Sequence, residues 1–559
     1  MRSRSLTKTK LTALLAVVAA LALAAAGCGG GGDNEGSPPP PPSPSESTPT
    51  PDSGESEEPA PEPAPEPAEP APSEPSGEVP ITSAYAPKDV VMFLSLNTDL
   101  DSEEWTQLQA LLAKFPGGST AVPEVVGSLT RTSDPGSESS SGQGLEALRI
   151  FGPELGIAFF NLDGDNAQFV AIAKPTDPAA LQAQLSSSDD PPTVKALEDG
   201  TYLLAESQAL IDQATTGAQA GTLADDAGFQ QAMGDLASST VAKLYANGPA
   251  LLAAAQAGAS GSQAETLSQL TGVLGIGSTD PAAGAAQLTS LALAVQAEDN
   301  GIRLDGIART VGGPEPQTFA AKLPEIVPAG PIAVLDFYNL RATVETFLDL
   351  VGQQQPGFDQ QLAQIEAALN VTVDNDVLPL LENEHALYVR PGVPIPEITL
   401  VLSPEDPTAA LATVDKLLAG VGAIAGAQLP FTTGSTAIGS VTARQLNFGQ
   451  ISVFYAAVGD NLVFTSSVAG IADLQSGDRL KDDPAFQAAL AAAGVPDETA
   501  GWLYVDTPKL LSFVSTIQQL RGEDVDQSQL DALAPIKSLV LYGTGEKDVV
   551  RFSGFANVE

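Results

Sequence analysis

Apolar residues in this chain recur with two different periods, and the switch between them marks out the elements. Val90-Val-Met-Phe-Leu-Ser-Leu96 follows Pro87, and Ile332-Ala-Val-Leu-Asp-Phe337 follows Pro331; both runs predict strands. Behind each, the spacing becomes helical: Trp105, Leu108, Leu111, Leu112 and Phe115 after the first, Leu340, Val344, Phe347, Leu348 and Val351 after the second. A hairpin is predicted from residues 155–162 and 168–173, because Asp163-Gly164-Asp165-Asn166 supplies an Asp-Gly turn between apolar runs. Thr176-Asp-Pro-Ala-Ala and Glu405-Asp-Pro-Thr-Ala each start a helix, with Asp177 and Asp406 as N-caps and Pro178 and Pro407 at the first helical position. A second hairpin, a helix, a strand and a closing hairpin complete each series. The last hairpin turns at residues 298–301 (Glu-Asp-Asn-Gly) in one and 545–548 (Gly-Glu-Lys-Asp) in the other.

The two series also match in residue detail. Gln168-Phe-Val-Ala-Ile-Ala-Lys-Pro-Thr-Asp-Pro178 aligns with Glu397-Ile-Thr-Leu-Val-Leu-Ser-Pro-Glu-Asp-Pro407, and Tyr202-Leu-Leu-Ala-Glu-Ser207 with Leu462-Val-Phe-Thr-Ser-Ser467. Leu223-Ala-Asp-Asp-Ala-Gly-Phe-Gln230 aligns with Leu480-Lys-Asp-Asp-Pro-Ala-Phe-Gln487, Leu244-Tyr-Ala-Asn-Gly-Pro249 with Leu503-Tyr-Val-Asp-Thr-Pro508, and Gly301-Ile-Arg-Leu-Asp-Gly306 with Val549-Val-Arg-Phe-Ser-Gly554. The order is preserved, so the reading is an internal duplication. The expected fold is α+β: two tandem homologous units of antiparallel sheet with helices packed on one face, residues 81–312 and 313–559. Residues 256–288 and 420–443 read as mobile, Gly-rich excursions.

The N-terminal 80 residues follow other rules. Arg2, Arg4, Lys8 and Lys10 precede an apolar run over residues 11–26, shorter than the roughly 20 residues a spanning helix needs. Ala25-Ala26-Gly27-Cys28 then places small residues before the chain's one cysteine. This resembles the lipobox of bacterial lipoproteins, in which the cysteine sulfur receives a diacylglycerol and becomes the new N-terminus. Residues 1–27 are therefore expected to be a lipoprotein signal peptide and Cys28 the lipidation site, anchoring the protein to the cell membrane facing outside the cytoplasm. An acylated Cys28 leaves no thiol for a disulfide, a nucleophile or a metal. Residues 28–80 read as a disordered linker: Pro, Gly and Glu dominate, and no large apolar residue appears before Val79. Proline biases such a segment toward an extended form of about 3.1 Å per residue.

The net charge of −44 excludes a phosphate-backbone partner, so no nucleic acid is expected. The Ala84-Tyr-Ala-Pro-Lys-Asp-Val-Val-Met-Phe-Leu-Ser-Leu96 opening leads through Trp105 to Leu111-Leu-Ala-Lys-Phe-Pro116. Together with the repeated Leu-x-Asp-Asp-x-x-Phe-Gln and Tyr-x-Asn/Asp-x-Pro-x-Leu-Leu elements, it resembles a domain-of-unknown-function family of bacterial extracytoplasmic lipoproteins. The resemblance implies membrane-anchored placement and brings no catalytic residues.

Chemistry was sought in the rest. His385 is the one histidine, and a 229-residue offset carries it back to Gly156, so the repeated scaffold does not repeat it. Asp225-Asp226 and Asp482-Asp483 each precede an amphipathic helix carrying Phe229 or Phe486, where caps belong, although calcium was weighed there. Asp374-Asn375-Asp376 and Asp163-Gly164-Asp165 lack the Gly and distal Glu of an EF-hand loop. Gly272-Val-Leu-Gly-Ile-Gly277 does not follow a strand and open a helix as a dinucleotide loop must. No catalytic residue, cofactor or metal is assigned. The expected function is a non-catalytic binding or scaffolding role in the envelope, toward a protein, glycan or lipid. Two alternatives remain: a carrier of an apolar ligand in a sheet–helix cavity, and a carboxylate-based glycan hydrolase, for which Trp105 and Trp502 would be the stacking residues.

Overall fold

The structure is a computed structural model, and it describes residues 77–559 except 117–145, 163–166, 187–190, 258–286, 313–316, 393–394, 426–430, 450, 523–526 and scattered positions within 342–356. The leader, Cys28, the Asp163-Gly164-Asp165 turn and Gly272–Gly277 thus lie outside the described residues.

Among the described residues eighteen strands form one sheet. They are β1 (Met92–Asn97), β2 (Glu154–Asn161), β3 (Gln168–Ala173), β4 (Thr193–Ala196), β5 (Tyr202–Ala205), β6 (Ala242–Asn247), β7 (Gln287–Glu298), β8 (Gly301–Val311) and β9 (Ala333–Tyr338). The rest are β10 (Glu384–Arg390), β11 (Glu397–Leu402), β12 (Thr432–Ile438), β13 (Val441–Phe448), β14 (Ile451–Val458), β15 (Asn461–Thr465), β16 (Gly501–Asp506), β17 (Ile536–Glu546) and β18 (Val549–Val558). Every pairing is antiparallel. From one edge to the middle the strands run β4, β5, β3, β2, β1, β6, β7, β8. From the middle to the other edge they run β18, β17, β16, β9, β10, β11, β15, β14, β13, β12. The β8–β18 pairing joins the two halves into one sheet, with Asp305 opposite Ser553 at its centre.

Helices cover both faces, which corrects the expectation of one covered face. On one face lie α3 (Gln208–Ala220) and α4 (Ala227–Gly234), whose Ile211, Phe229 and Met233 pack on Phe93, Val170 and Tyr245. On the opposite face α1 (Glu103–Leu112) and α2 (Pro178–Ser186) bring Trp105, Leu111 and Leu181 onto Leu155, Ile157 and Leu204. There, too, α5 (Gly248–Ala257) puts Leu251 against Ala246, Leu291 and Leu293. In the second half α8 (Val468–Gln475) and α9 (Pro484–Ala493) cover the first face, and α7 (Pro407–Ala425) the second. Two further helices, α6 (Phe358–Leu369) and α10 (Thr507–Arg521), complete the set used below. The physical reason stands in the strands: all four residues of β5 are buried, a continuous apolar run rather than an alternation, and such a strand must be covered twice.

The predicted caps are in place. Asp177 Oδ1 accepts the N–H groups of Ala179 and Ala180, and Asp406 Oδ1 those of Thr408 and Ala409. Ser207 and Ser467, which follow β5 and β15, cap α3 and α8. The stretch 420–443 is not an excursion. Its first residues extend α7, residues 426–430 lie outside the described residues, and from Thr432 on β12 and β13 form a hairpin, because Thr, Ile and Val recur there around a Gly439 turn at φ 58°. Of 256–288, the ends belong to α5 and β7 and the middle lies outside the described residues. The folded chain also begins earlier than residue 81: Gly77 N–H donates to Gly234 O, and Lys243 Nζ to Glu78 O at 2.9 Å.

Candidate functional site

The residues singled out by the sequence separate in space. Asp226 Oδ1 accepts from Phe229 N–H at 2.8 Å, and Asp483 Oδ1 from Ala485 N–H at 2.9 Å, so both serve as helix caps. Asp225 is engaged by the Thr222 hydroxyl. Asp376 accepts from Thr372 N–H and Oγ1, and the backbone bond first of all holds its pKa below the usual carboxylate range. Trp105 and Trp502 are both in the core, on opposite faces of the sheet, and so form no stacking platform. Among the described residues no group of three or more His, Cys, Asp or Glu is arranged to hold a metal ion.

His385 is fully buried in β10, opposite Phe337 and Leu402. Its Nε2 lies 2.9 Å from Leu381 O, its Nδ1 has no partner, and burial lowers its pKa. The position in the first half that faces the matching residues, Leu96 and Ala173, is Leu155. The 229-residue offset holds for β3 and β11 but is one residue longer for β2 and β10, so the sequence-derived Gly156 is corrected to Leu155. A buried leucine stands where the imidazole is, which suits a core position better than a proton-transfer site.

Sequence reasoning missed two buried polar constellations. The first is an acid at the start of β2 and of β10, the first strands of the β2–β3 and β10–β11 hairpins. Glu154 accepts from Ile81 and Thr82 N–H, both at 2.9 Å, while Glu384 Oε1 accepts from Lys322 at 2.7 Å and Leu323 at 2.6 Å. Each carboxylate thereby ties a 3-10 turn to the sheet. Around them the halves differ. In the first, Ser95 faces Gly156 and Lys243, and burial lowers the Lys243 pKa although the Glu78 and Glu154 charges oppose it. In the second, Asp336 faces Ala386 and Trp502. Asp336 is fully buried, and neither carboxyl oxygen has a hydrogen-bond donor. Burial, then the adjacent Glu384 carboxyl, push its pKa well above the usual carboxylate range, and burial raises that of Glu384 as well. The signal available in sequence was one acid inside an apolar strand, Ile332-Ala-Val-Leu-Asp-Phe337.

The second constellation lies at the seam, on the face covered by α4 and α9. Ser553 Oγ donates to Asp305 Oδ1 at 2.7 Å, and Gln296 Nε2 to Asp305 Oδ2 at 2.7 Å. Burial raises the Asp305 pKa against these bonds. Arg303 donates to Ala493 O at 2.8 Å, at the C-terminus of α9, and lies 4.9 Å from the centre of the Phe555 ring. Arg551 reaches Asp235, just past α4, at 3.8 Å, and Arg309 pairs with the same carboxylate. Each half therefore sends an arginine to the other half's helix end. The Ser553 hydroxyl donates to the Asp305 carboxyl and accepts from Arg303 Nη1 at 3.4 Å, so these side chains fasten the β8–β18 seam.

Elsewhere Arg390 bridges Glu397 and Asp473 between β10, β11 and α8. An open depression of about 480 Å³ beside α3 is lined by Asp89, Phe160, Asp212, Gln213 and Thr216. No helix among the described residues is long and apolar enough to cross a membrane.

A family model described as a protein of unknown function, DUF3352, matches residues 180–549. No curated protein matches. Among solved structures, crystal forms IV and III of TP0453 match at 15% identity, covering 41% and 42% of this chain and 76% and 80% of that one, with TM-scores of 0.21 and 0.22.

Proposed function

We propose a role for this chain, which belongs to the DUF3352 family of proteins of unknown function: it is a membrane-anchored extracytoplasmic lipoprotein with a non-catalytic binding or scaffolding role in the cell envelope. The observation that carries the placement is Cys28, the one cysteine of the chain, at the junction of an apolar leader and a glycine run. Its acyl chains supply the membrane affinity, and the Pro/Glu-rich stretch behind it separates the folded part from the bilayer.

The scaffolding half of the reading rests on how the interior polar groups are used. Asp305, Ser553, Arg303, Glu154 and Glu384 each hold one structural element to another. Eighteen strands at about 4.8 Å spacing also present a sheet on the order of 80 Å across before twist, a long surface built without a catalytic cleft among these groups.

The same reading takes the two halves as a tandem duplication, and the register at the seam supports it. In the sequence alignment Arg303, Leu304 and Gly306 match Arg551, Phe552 and Gly554. In the sheet, Leu304 pairs with Gly554 and Gly306 with Phe552, so exchanging each residue for its match returns the same pairs. Only an arrangement with two-fold character about Asp305 and Ser553 has that property.

Replacing Cys28 by serine in the native host tests the placement. The expected result is loss of membrane retention and a changed mobility of the unprocessed chain; unchanged retention and mobility overturn it.

A further inference from the structure

The hairpin β12–β13 has no counterpart among the described residues of the first half, and it ends the sheet in an edge unlike the other one. The opposite edge strand, β4, has four residues, follows Pro191 and Pro192, and carries Lys195. Those are the devices that keep an edge from pairing: shortness, proline and an edge lysine. β12, although it too follows a proline, Pro430, is longer and carries no lysine. It runs seven residues, Thr-Thr-Gly-Ser-Thr-Ala-Ile, with no charge and no proline, and five of its first six residues are exposed. Among the described residues it pairs with β13 alone. Among the described residues no strand meets the row of backbone N–H and C=O groups along its other side.

Charge says which surfaces of this protein can approach a like surface. The chain carries a net −44, and charged residues make up 17% of it. Across residues 417–459 the only charged side chain is Arg444, and Asp415 on α7 pairs with it. Two copies repel each other wherever their acidic faces meet, and the β12 edge is a neutral window in that field. The protein already shows the mode of contact inside itself, since β8 and β18 join edge to edge, antiparallel, about a two-fold relation.

We infer that the free edge of β12 is a self-association surface, pairing antiparallel with the β12 edge of a second copy of this chain and extending the sheet across a two-fold axis. Antiparallel self-pairing is isologous, so one position at or beside Ser435 must face its own counterpart. Threonine and serine side chains on both faces then meet like partners, a pairing that sheets tolerate well.

Single cysteines placed from Thr433→Cys to Ala437→Cys in the full chain, oxidised in the intact membrane, test this, with the unsubstituted chain controlling for Cys28. Facing side chains in an antiparallel pair stand about 4.5–5.5 Å apart at Cβ, close to disulfide reach. The expected result is a disulfide-linked dimer peaking at one position and falling on either side. Thr433→Lys with Thr436→Lys, in the detergent-extracted full chain, is expected to weaken the dimer about tenfold or more while leaving thermal unfolding unchanged. A monomer at all concentrations without cross-linking, a dimer indifferent to the lysines, or cross-linking of this edge to a different protein would each overturn the inference.

Discussion

Asp305 and Ser553 face each other at the centre of the β8–β18 pairing and are joined by a 2.7 Å hydrogen bond, with eight described strands on one side of that seam and ten on the other. Asp305 also accepts from Gln296 and Ser553 from Arg303, so the two polar side chains are compensated together within the sheet. Ser553→Ala removes one donor to a buried carboxyl and is expected to cost about 1–3 kcal/mol. Asp305→Asn combined with it should cost less than the sum of the single changes, because the pair is one unit. Urea unfolding of the four chains in the cycle reads the coupling, and additive losses would show that the contact contributes nothing.

The buried acid pair makes the second half sensitive to pH. Asp336 has a raised pKa when folded and an ordinary one of about 3.9 when unfolded, so the folded chain binds more protons. Its contribution is fully present below the unfolded value and is lost as pH rises toward and through the folded value. Asp336→Ser, which installs the residue of the first half, should flatten that decline and stabilise the protein at neutral pH. Denaturation midpoints measured from pH 4.5 to 8 check it; a variant with the wild-type slope would refute the assignment.

His385 works in the opposite direction. Burial lowers its pKa, so the unfolded chain binds more protons below about pH 6.5 and the folded state loses stability as pH falls. His385→Leu replaces it by the residue found at Leu155 and should be neutral near pH 8 and stabilising near pH 5. A variant less stable at pH 5 than the wild type would assign the imidazole a structural bond beyond its contact with Leu381 O.

Gly306 is required where it stands. A Cβ there would lie 2.0 Å from the Phe552 ring, which is buried opposite it. Gly306→Ala is expected to cost about 1–3 kcal/mol through overpacking, measured as a drop in the unfolding midpoint. Adding Phe552→Leu should recover part of that loss.

Much of the fold was legible before any coordinates. The Asp177 and Asp406 caps, the Asp226 and Asp483 caps and the hairpins at 298–301 and 545–548 rest on local chemistry and short-range periodicity. The buried constellations were not. Asp336 looks like any acid until Glu384, 48 positions later, is brought beside it, and Arg303 becomes a staple only when Ala493 arrives from the other half. The β12–β13 hairpin was misread because glycine content outweighed the β-branched residues between the glycines.

By itself, then, the sequence determined the single cysteine behind an apolar run, the strong negative charge, and the strands, turns and helix caps that follow from residue type and spacing along one chain. Only the tertiary structure decided that the strands share a single sheet, that both faces are covered, and that polar side chains close the seam. Those outcomes depend on which distant edges meet, and hydrogen-bonding edges carry no label in a one-dimensional pattern.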